Sequence, residues 1–472
     1  MQSPPDQTAP HGKKVLSFNL LDMATVSHNN YGLWRHPRQR KRYTDIRYWI
    51  DFARSCERAL FDTLFFADVL GVAAGFGGNN DVAIKEGMHI PVADPLMAIT
   101  AMAAATRQLG FAATVSTTYE APFAHARRMS TLDHFTGGRI GWNVMTSYLP
   151  NANENFGVDP TRHTHDERYD LADEFMTVCY KLWEGSWDDD AMVRDPLRNM
   201  VSDPAKVRRI DHRGTFFEVA GPHLVEPSLQ RTPVIMQAGS SGRGKEFAAK
   251  HAEAVFIGGR SAEAYRQNAL DVRAEVVRQG RAATDVKLLA EIGLIVAATQ
   301  AEADAKFNDF QAMSSADGYL AHFFGSGADL LKHPRSKLIE DIVAEGGPGA
   351  AHMSRYAYRQ GTTVGDVMEQ SSRLDSSRAL FAWGTPDRVA DKIEEWAETL
   401  TVDGFLMRQM ISPVSVEEFA DLLVPKMQKR GIYRERYEAS TLRENMFGTP
   451  SPRVRPTHPA AAYRVLGSGE GS

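Results

Sequence analysis

Polar residues that could bind a ligand or move a proton gather at the ends of apolar runs. Asp68 closes LFFAD, Thr114 and Ser116 lie in AATVSTTY, and Asn143, Thr146 and Ser147 lie in WNVMTS. Each one alone reads as a strand-end cap, because such side chains readily bond nearby backbone. As a set they describe donors and acceptors around an apolar mouth. A second constellation is VIMQAGSSGRGKEFAAK, residues 234 to 250. It nearly matches the P-loop pattern G-x-x-x-x-G-K-[ST], but Glu246 stands where that motif needs a magnesium-ligating hydroxyl. LFFAD imitates the aspartate-bearing strand of P-loop proteins, yet lies far upstream of Gly239. The dinucleotide pattern fails too, since the glycines run G-x-x-G-x-G instead of G-x-G-x-x-G. Small residues ahead of a helix still let backbone N–H groups approach an anion that the helix dipole favours. Ser240 and Ser241 add hydroxyls and Arg243 adds charge, which is what a monophosphate needs without a metal.

Other chemistries find less support. His28, His36, His125, His165 and His322 are scattered, and His163 with His165 in RHTHDE has no carboxylate or cysteine partner at recognised spacing. No metal site is expected. There is no G-x-S-x-G or H-E-x-x-H, and Cys56 and Cys179 sit in no reactive-thiol signature. These residues supply binding and proton transfer, so the hard chemistry must reside in a bound cofactor. The segment RHPRQRKRYTDIR, 35 to 47, holds six Arg or Lys residues. It reads as a solvated loop before a helix capped near Thr44 or Asp45, in preference to a nucleic-acid patch or an acidic partner's docking surface.

The elements that must position these residues alternate. Strands are expected at 15–21, 63–69, 111–116, 139–145, 233–239, 254–258, 288–298 and 403–409. Helices are expected at 45–60, 95–106, 124–135, 168–183, 242–251, 262–279, 300–310 and 416–429. Eight β/α pairs point to a TIM (β/α)8 barrel, with a doubly wound open sheet as the competitor. Segments near 70–94, 148–232 and 311–400 exceed a bare barrel and read as insertions at the carboxyl face, where pockets and lids are built. The glycine turn follows the fifth strand, whereas barrel phosphate sites more often follow the seventh and eighth. Of 472 residues, 43% are hydrophobic and 24% charged, as in ordinary globular proteins. The net charge of -5 gives no whole-molecule attraction to nucleic acid or anionic lipid. Two cysteines suit a reducing compartment, and no stretch reads as a signal or a bilayer span, so a cytoplasmic protein is expected. A domain over 14–445 and a Pro/Gly/Ser-rich tail over 446–472, mobile or ordered against another subunit, complete the outline.

Several long blocks carry a resemblance: SHNNYGLWRHP, FDTLFFADVLG, DPLMAITAMAAAT, STTYEAPFAHARRMSTLDHFTGGRIGWNVMTSYLPNANENFG, HDERYDLADEFMTVCYKLWEGSW and PVIMQAGSSGRGKEFAAKHAEAVF. The chain resembles the bacterial-luciferase-like flavin monooxygenases over roughly residues 14 to 445. Within them it looks most like the branch of nitrilotriacetate, dibenzothiophene sulfone, dimethyl sulfide and long-chain alkane monooxygenases. The resemblance implies a TIM barrel that takes FMN as FMNH2 from a separate NAD(P)H-dependent flavin reductase. O2 would add at the flavin C4a, and the resulting hydroperoxyflavin would oxygenate a small apolar organic substrate behind closing lids.

Carried over by position, Asp68, Thr114, Ser116 and Asn143 match the family's flavin-ring and ribityl surroundings. Tyr169, Ser240 and Ser241 match its phosphate end. His28, His165 and His322 are candidates for stabilising or protonating the peroxide. Thr25 stands where the alkane-oxidising relatives place Cys, and Tyr148 where they place His, which argues against long-chain alkane as substrate. The segments GVAAGFGG and SADGYLAHFFGSG are apolar and carry little charge, which suits organosulfur, alkane or halogenated aromatic compounds better than an aminopolycarboxylate. The alternatives are a flavin or deazaflavin dehydrogenase on the same barrel, or a non-catalytic flavin-binding protein. A homodimer or homotetramer is expected by analogy.

Overall fold

The structure is a computed structural model that describes residues 14–26, 30–147, 149–159, 163–239, 241–259, 261–325, 329–346, 350, 360–371, 373–375 and 380–464. His28, Tyr148 and Ser240 lie outside the described residues.

Eight parallel strands form the centre: β1 Ser17–Asp22, β2 Thr63–Phe66, β3 Gly110–Ser116, β4 Ile140–Met145, β5 Val234–Gln237, β6 Ala254–Ile257, β7 Lys287–Val296 and β8 Gly404–Arg408. Each pairs with the next, and β8 returns to β1 with Gly404 opposite Ser17. This closure selects the TIM barrel over the open sheet. Every strand coincides with an expected run because both of its faces are covered, so it reads as continuously apolar. β7 is longest for a physical reason: its first half lies between β6 and β8, while Gly293–Val296 runs on to pair with an extra strand, Phe381–Gly384.

Inward side chains such as Leu21, Phe65, Met236, Phe256, Leu289 and Leu406 fill the barrel. Outward ones, among them Phe18, Phe111 and Trp142, pack on the surrounding helices. Asp45 caps the helix Ile46–Arg58 by accepting from Arg47 N at 3.0 Å. The helix His165–Tyr180 begins earlier than its apolar period suggests, because Thr164 and Glu167 form a reciprocal capping box ahead of it.

The three long excursions have structure of their own. The middle one holds the helix Pro150–Phe156 and two short hairpins, Met192–Asp195 with Met200–Ser202 and His212–Arg213 with Glu218–Val219. All three contribute to one apolar cluster: Phe76 and Met88 from the first, Leu149 and Ala152 from the second, Tyr319 and Phe324 from the third, with Tyr31 among them.

The Pro/Gly/Ser-rich stretch from residue 446 docks on the barrel as far as Arg464. Met446 joins the barrel-interior cluster beside Leu442 of the preceding turn, Val454 and Ala460 are buried, and Thr457 Oγ1 donates to Asp285 Oδ2 at 2.7 Å. Burying a side chain such as Met446 contributes about 2 kcal/mol to that docking. Residues 465–472 lie outside the described set.

The basic segment is also less solvated than its composition suggests. Lys41 is buried, with its ammonium on Asp22 and on Met23 O at 2.7 Å. Arg38 reaches Glu418 at 3.0 Å.

Candidate active site

Two polar groups of residues lie at the carboxyl ends of the strands. In the first, Thr114 on β3 is directly opposite Asn143 on β4, and Asn143 Nδ2 donates to Thr114 Oγ1 at 2.9 Å. Having accepted that bond, Thr114 retains its own O–H to donate. Asn143 Oδ1 is buried with no hydrogen-bond partner. A buried acceptor left open in this way costs about 1–3 kcal/mol and marks a place for a donor. Ser116 Oγ and Ser147 Oγ are 2.8 Å apart, and Ser147 holds a φ of 54°, a conformation non-glycine residues adopt only when their surroundings enforce it.

Asp68 follows β2 and accepts from Val69 N at 2.9 Å. Burial raises its carboxyl to about 7, with the Asp94 carboxylate adding to the rise and the Val69 amide opposing it. A carboxyl of that kind exchanges its proton near neutral pH. Its neutral form favours the fold below the unfolded value of 3.8, and this contribution is lost as pH rises through about 7. Asp68→Asn is therefore expected to raise the urea midpoint over wild type by an amount that grows across that interval and then levels. A difference independent of pH would contradict the assignment.

The second group surrounds the glycine turn after β5. The helix Gly242–His251 begins with Ser241 as its cap, Ser241 Oγ accepting from Gly244 N at 3.0 Å. A Cβ on Gly239 would lie 2.6 Å from Gln237 Oε1 and 2.8 Å from Gly244 O. One on Gly244 would lie 2.8 Å from Tyr169 Oη and 2.9 Å from Ser241 Oγ. Both glycines thus keep open a cradle of N–H groups and hydroxyls, and buried Gln237 Oε1 has no hydrogen-bond partner beneath it. The aligned N–H groups and helix dipole can hold a phosphate there. The sequence reading of Arg243 as a free charge is corrected: it is held by Asp170 at 3.0 Å and by Asp173.

The candidate acid–base residues divide between places. His165 opens its helix, 2.7 Å from Asp166 Oδ1 and ring to ring with Tyr169 at 5.3 Å, so it sits beside the cradle. His322, on the helix Ala316–Phe323, lies in the apolar roof, its ring 4.8 Å from His89 and 5.8 Å from Tyr31. Thr25 commits its hydroxyl to Pro91 O at 2.6 Å and pins the segment after β1 to the one after β2. The sequence reading missed His89, whose Nε2 is 3.2 Å from the Tyr31 hydroxyl, and it missed Gln237. Nothing local to EGMHIPV signals His89, because its neighbours come from distant segments. Among the described residues no group of His, Cys, Asp and Glu could hold a metal ion, and no helix is long and apolar enough to cross a membrane.

Comparison with known proteins points to one family. The model of the luciferase-like monooxygenase family matches residues 29–403. The long-chain alkane monooxygenase of Geobacillus thermodenitrificans (strain NG80-2) is 47% identical over 457 residues, covering 96% of this chain and 99% of that protein. The dimethyl-sulfide monooxygenase of Hyphomicrobium sulfonivorans is 41% identical over 96% of this chain and 94% of that one. Among solved structures, riboflavin lyase with modified FMN and substrate riboflavin is 38% identical, with a TM-score of 0.88 over 96% of this chain and 100% of that one.

Proposed function

This chain belongs to the luciferase-like monooxygenase family, and from that premise we propose that it is the oxygenase of a two-component system. It takes FMNH2 from a separate NAD(P)H-dependent flavin reductase and uses O2 to oxygenate a small apolar organic substrate. The observation that carries this reading is a pair of features: the close-packed Gly239–Gly244 turn that only glycine fits at the start of a helix, and the open Asn143 acceptor beside the Thr114 hydroxyl.

FMN fits both. Its phosphate is held by the N-terminus of Gly242–His251 with Ser240, Ser241 and the Tyr169 hydroxyl, and without magnesium. A neighbouring donor and acceptor on Thr114 and Asn143 suit the mixed N–H and C=O edge of a flavin ring, with Asp68 and Ser116 completing that end. Bound reduced flavin supplies the electron pair by which one atom of O2 enters substrate while the other leaves as water.

The protein's own part is to orient, to exclude water and to move protons. Thr114 and Asn143 fix the ring plane. Asp68 takes or gives a proton near neutral pH. The roof built by all three excursions keeps water out of the mouth, which reactive oxygen chemistry requires. His322 and His89, with Tyr31, give that roof groups able to donate or accept a proton. His28, Thr25 and Tyr148 remain proposed neighbours of the reaction, with Thr25 acting through the backbone it pins, while His165, beside Tyr169, is assigned to the phosphate end. A homodimer or homotetramer in the cytoplasm is part of the same proposal.

The apolar roof supports an uncharged substrate. The relatives named for a long-chain alkane and for dimethyl sulfide set its range, and riboflavin joins it through the lyase neighbour. With a generic flavin reductase supplying FMNH2, a panel of alkanes, sulfides, sulfones, halogenated aromatics and riboflavin is expected to yield oxygenated product from at least one uncharged class. Turnover confined to aminopolycarboxylates would overturn the substrate class.

A further inference from the structure

The helix that begins at the cradle is gripped near both ends by one carboxylate. Asp173 lies one helical turn beyond Tyr169 on His165–Tyr180. Its Oδ1 accepts from His251 Nε2 at 2.7 Å and from Lys250 Nζ at 2.8 Å, and its Oδ2 accepts from Arg243. All three donors belong to Gly242–His251, Arg243 near its start and Lys250 with His251 at its end. Asp170 takes a second bond from Arg243, whose guanidinium lies 5.7 Å from the centre of the Tyr169 ring. On its other side His251 Nδ1 is 3.0 Å from the Tyr180 hydroxyl. A neutral imidazole that donates from Nε2 to the carboxylate accepts from that hydroxyl at Nδ1, so the network is consistent without a protonated histidine.

We propose that Asp173 is a positioning residue that sets the selectivity of the site for a phosphate-bearing flavin over its phosphate-free form. It fixes the helix N-terminus and Gly244 in register with the Tyr169 hydroxyl, and it withholds Arg243 from the cradle. The anion is then recognised by aligned N–H groups and hydroxyls of fixed geometry, not by a loosely held cation that would attract any anion. The proposal rests on the reading of the cradle as the flavin phosphate site.

The test is a fluorescence titration of wild type and Asp173→Asn with FMN and with riboflavin, alongside a thermal melt of each protein. Wild type is expected to prefer FMN. Asp173→Asn is expected to weaken FMN about tenfold, the worth of one charge-assisted hydrogen bond, with riboflavin affinity unchanged. Lys250→Met removes a single grip from a side chain that is 43% exposed, and is expected to shift FMN in the same direction by roughly threefold. That variant decides the matter if Asp173→Asn does not fold. FMN binding unchanged or tightened in a folded variant, or an equal loss for both flavins, overturns the proposal. A wild-type protein that binds no FMN, or from which riboflavin displaces bound FMN as readily as free FMN does, overturns instead the phosphate reading beneath it.

Discussion

Gly244→Ala is expected to weaken FMN binding about tenfold or more while leaving the protein folded. Alanine is the best helix former, and in an exposed helix this exchange would stabilise by about 1 kcal/mol. Here the added methyl would stand 2.8 Å from Tyr169 Oη and 2.9 Å from Ser241 Oγ. Ser241 can rotate, but only by giving up its cap on Gly244 N. Tyr169 cannot rotate away cheaply, because its ring is buried against Phe247 at 5.6 Å and lies beneath the Arg243 guanidinium. Either the hydroxyl or the helix N-terminus must shift by several tenths of an ångström, and losing one charge-assisted hydrogen bond to the phosphate costs about tenfold in affinity. Flavin fluorescence titration measures the loss, and a melting temperature within a few degrees of wild type shows that the fold survives. Affinity within about threefold of wild type would mean that the phosphate is held elsewhere.

Arg443→Met is expected to lower folding stability by about 3–5 kcal/mol, because it strands a buried carboxylate. Arg443 is fully buried and grips Glu253 in a fork, Nε to Oε1 at 2.7 Å and Nη2 to Oε2 at 2.8 Å, while Nη2 also donates to Thr232 O at 2.9 Å. Burial alone would raise the Glu253 carboxyl, but Arg443 outweighs it and takes the group to about 2. That stabilisation is fully present above the unfolded value of 4.5 and is lost as pH falls toward 2. The deficit of Arg443→Met, read from urea midpoints, should therefore be largest at neutral pH, shrink as the stranded buried carboxyl takes up a proton above 4.5, and shrink further below 4.5 as wild type loses its own contribution. Pairing it with Glu253→Gln should recover part of the loss, since the cost lies in the unpaired charge. A small deficit that ignores pH would show that the C-terminal segment does not brace the barrel as described.

The eight strands were legible because each is covered on both faces and so appears as an unbroken apolar run between turn residues. The cradle was legible for a different reason: Gly239, Ser241 and Gly244 act within one turn, and local spacing records local geometry. What acts across distance was not legible. Arg243 offers its charge at a helix start in any reading of VIMQAGSSGRGKEFAAK, and only Asp173, seventy residues upstream, reveals that the charge is already engaged. Lys41 stands in a run of cations that looks solvated, yet packing places it on Asp22. His89, Tyr31 and His322 meet only because two of the excursions pack against each other and against the segment after β1. The packing of the Pro-rich C-terminal stretch up to Arg464 was not legible either, because composition records the low content of core-forming residues but not where Met446, Val454 and Ala460 find cover.

The central claim is that this barrel uses reduced FMN to place one atom of O2 in an organic substrate. The most direct measurement supplies FMNH2 and isotopically labelled O2 to the protein with a substrate found by the panel, and follows the label into product by mass spectrometry. One labelled oxygen atom per product molecule, with less product formed when Gly244→Ala replaces wild type, is the predicted result. Product that carries no label, formed with hydride transfer in place of oxygen uptake, would contradict the account and make the protein a dehydrogenase on the same barrel.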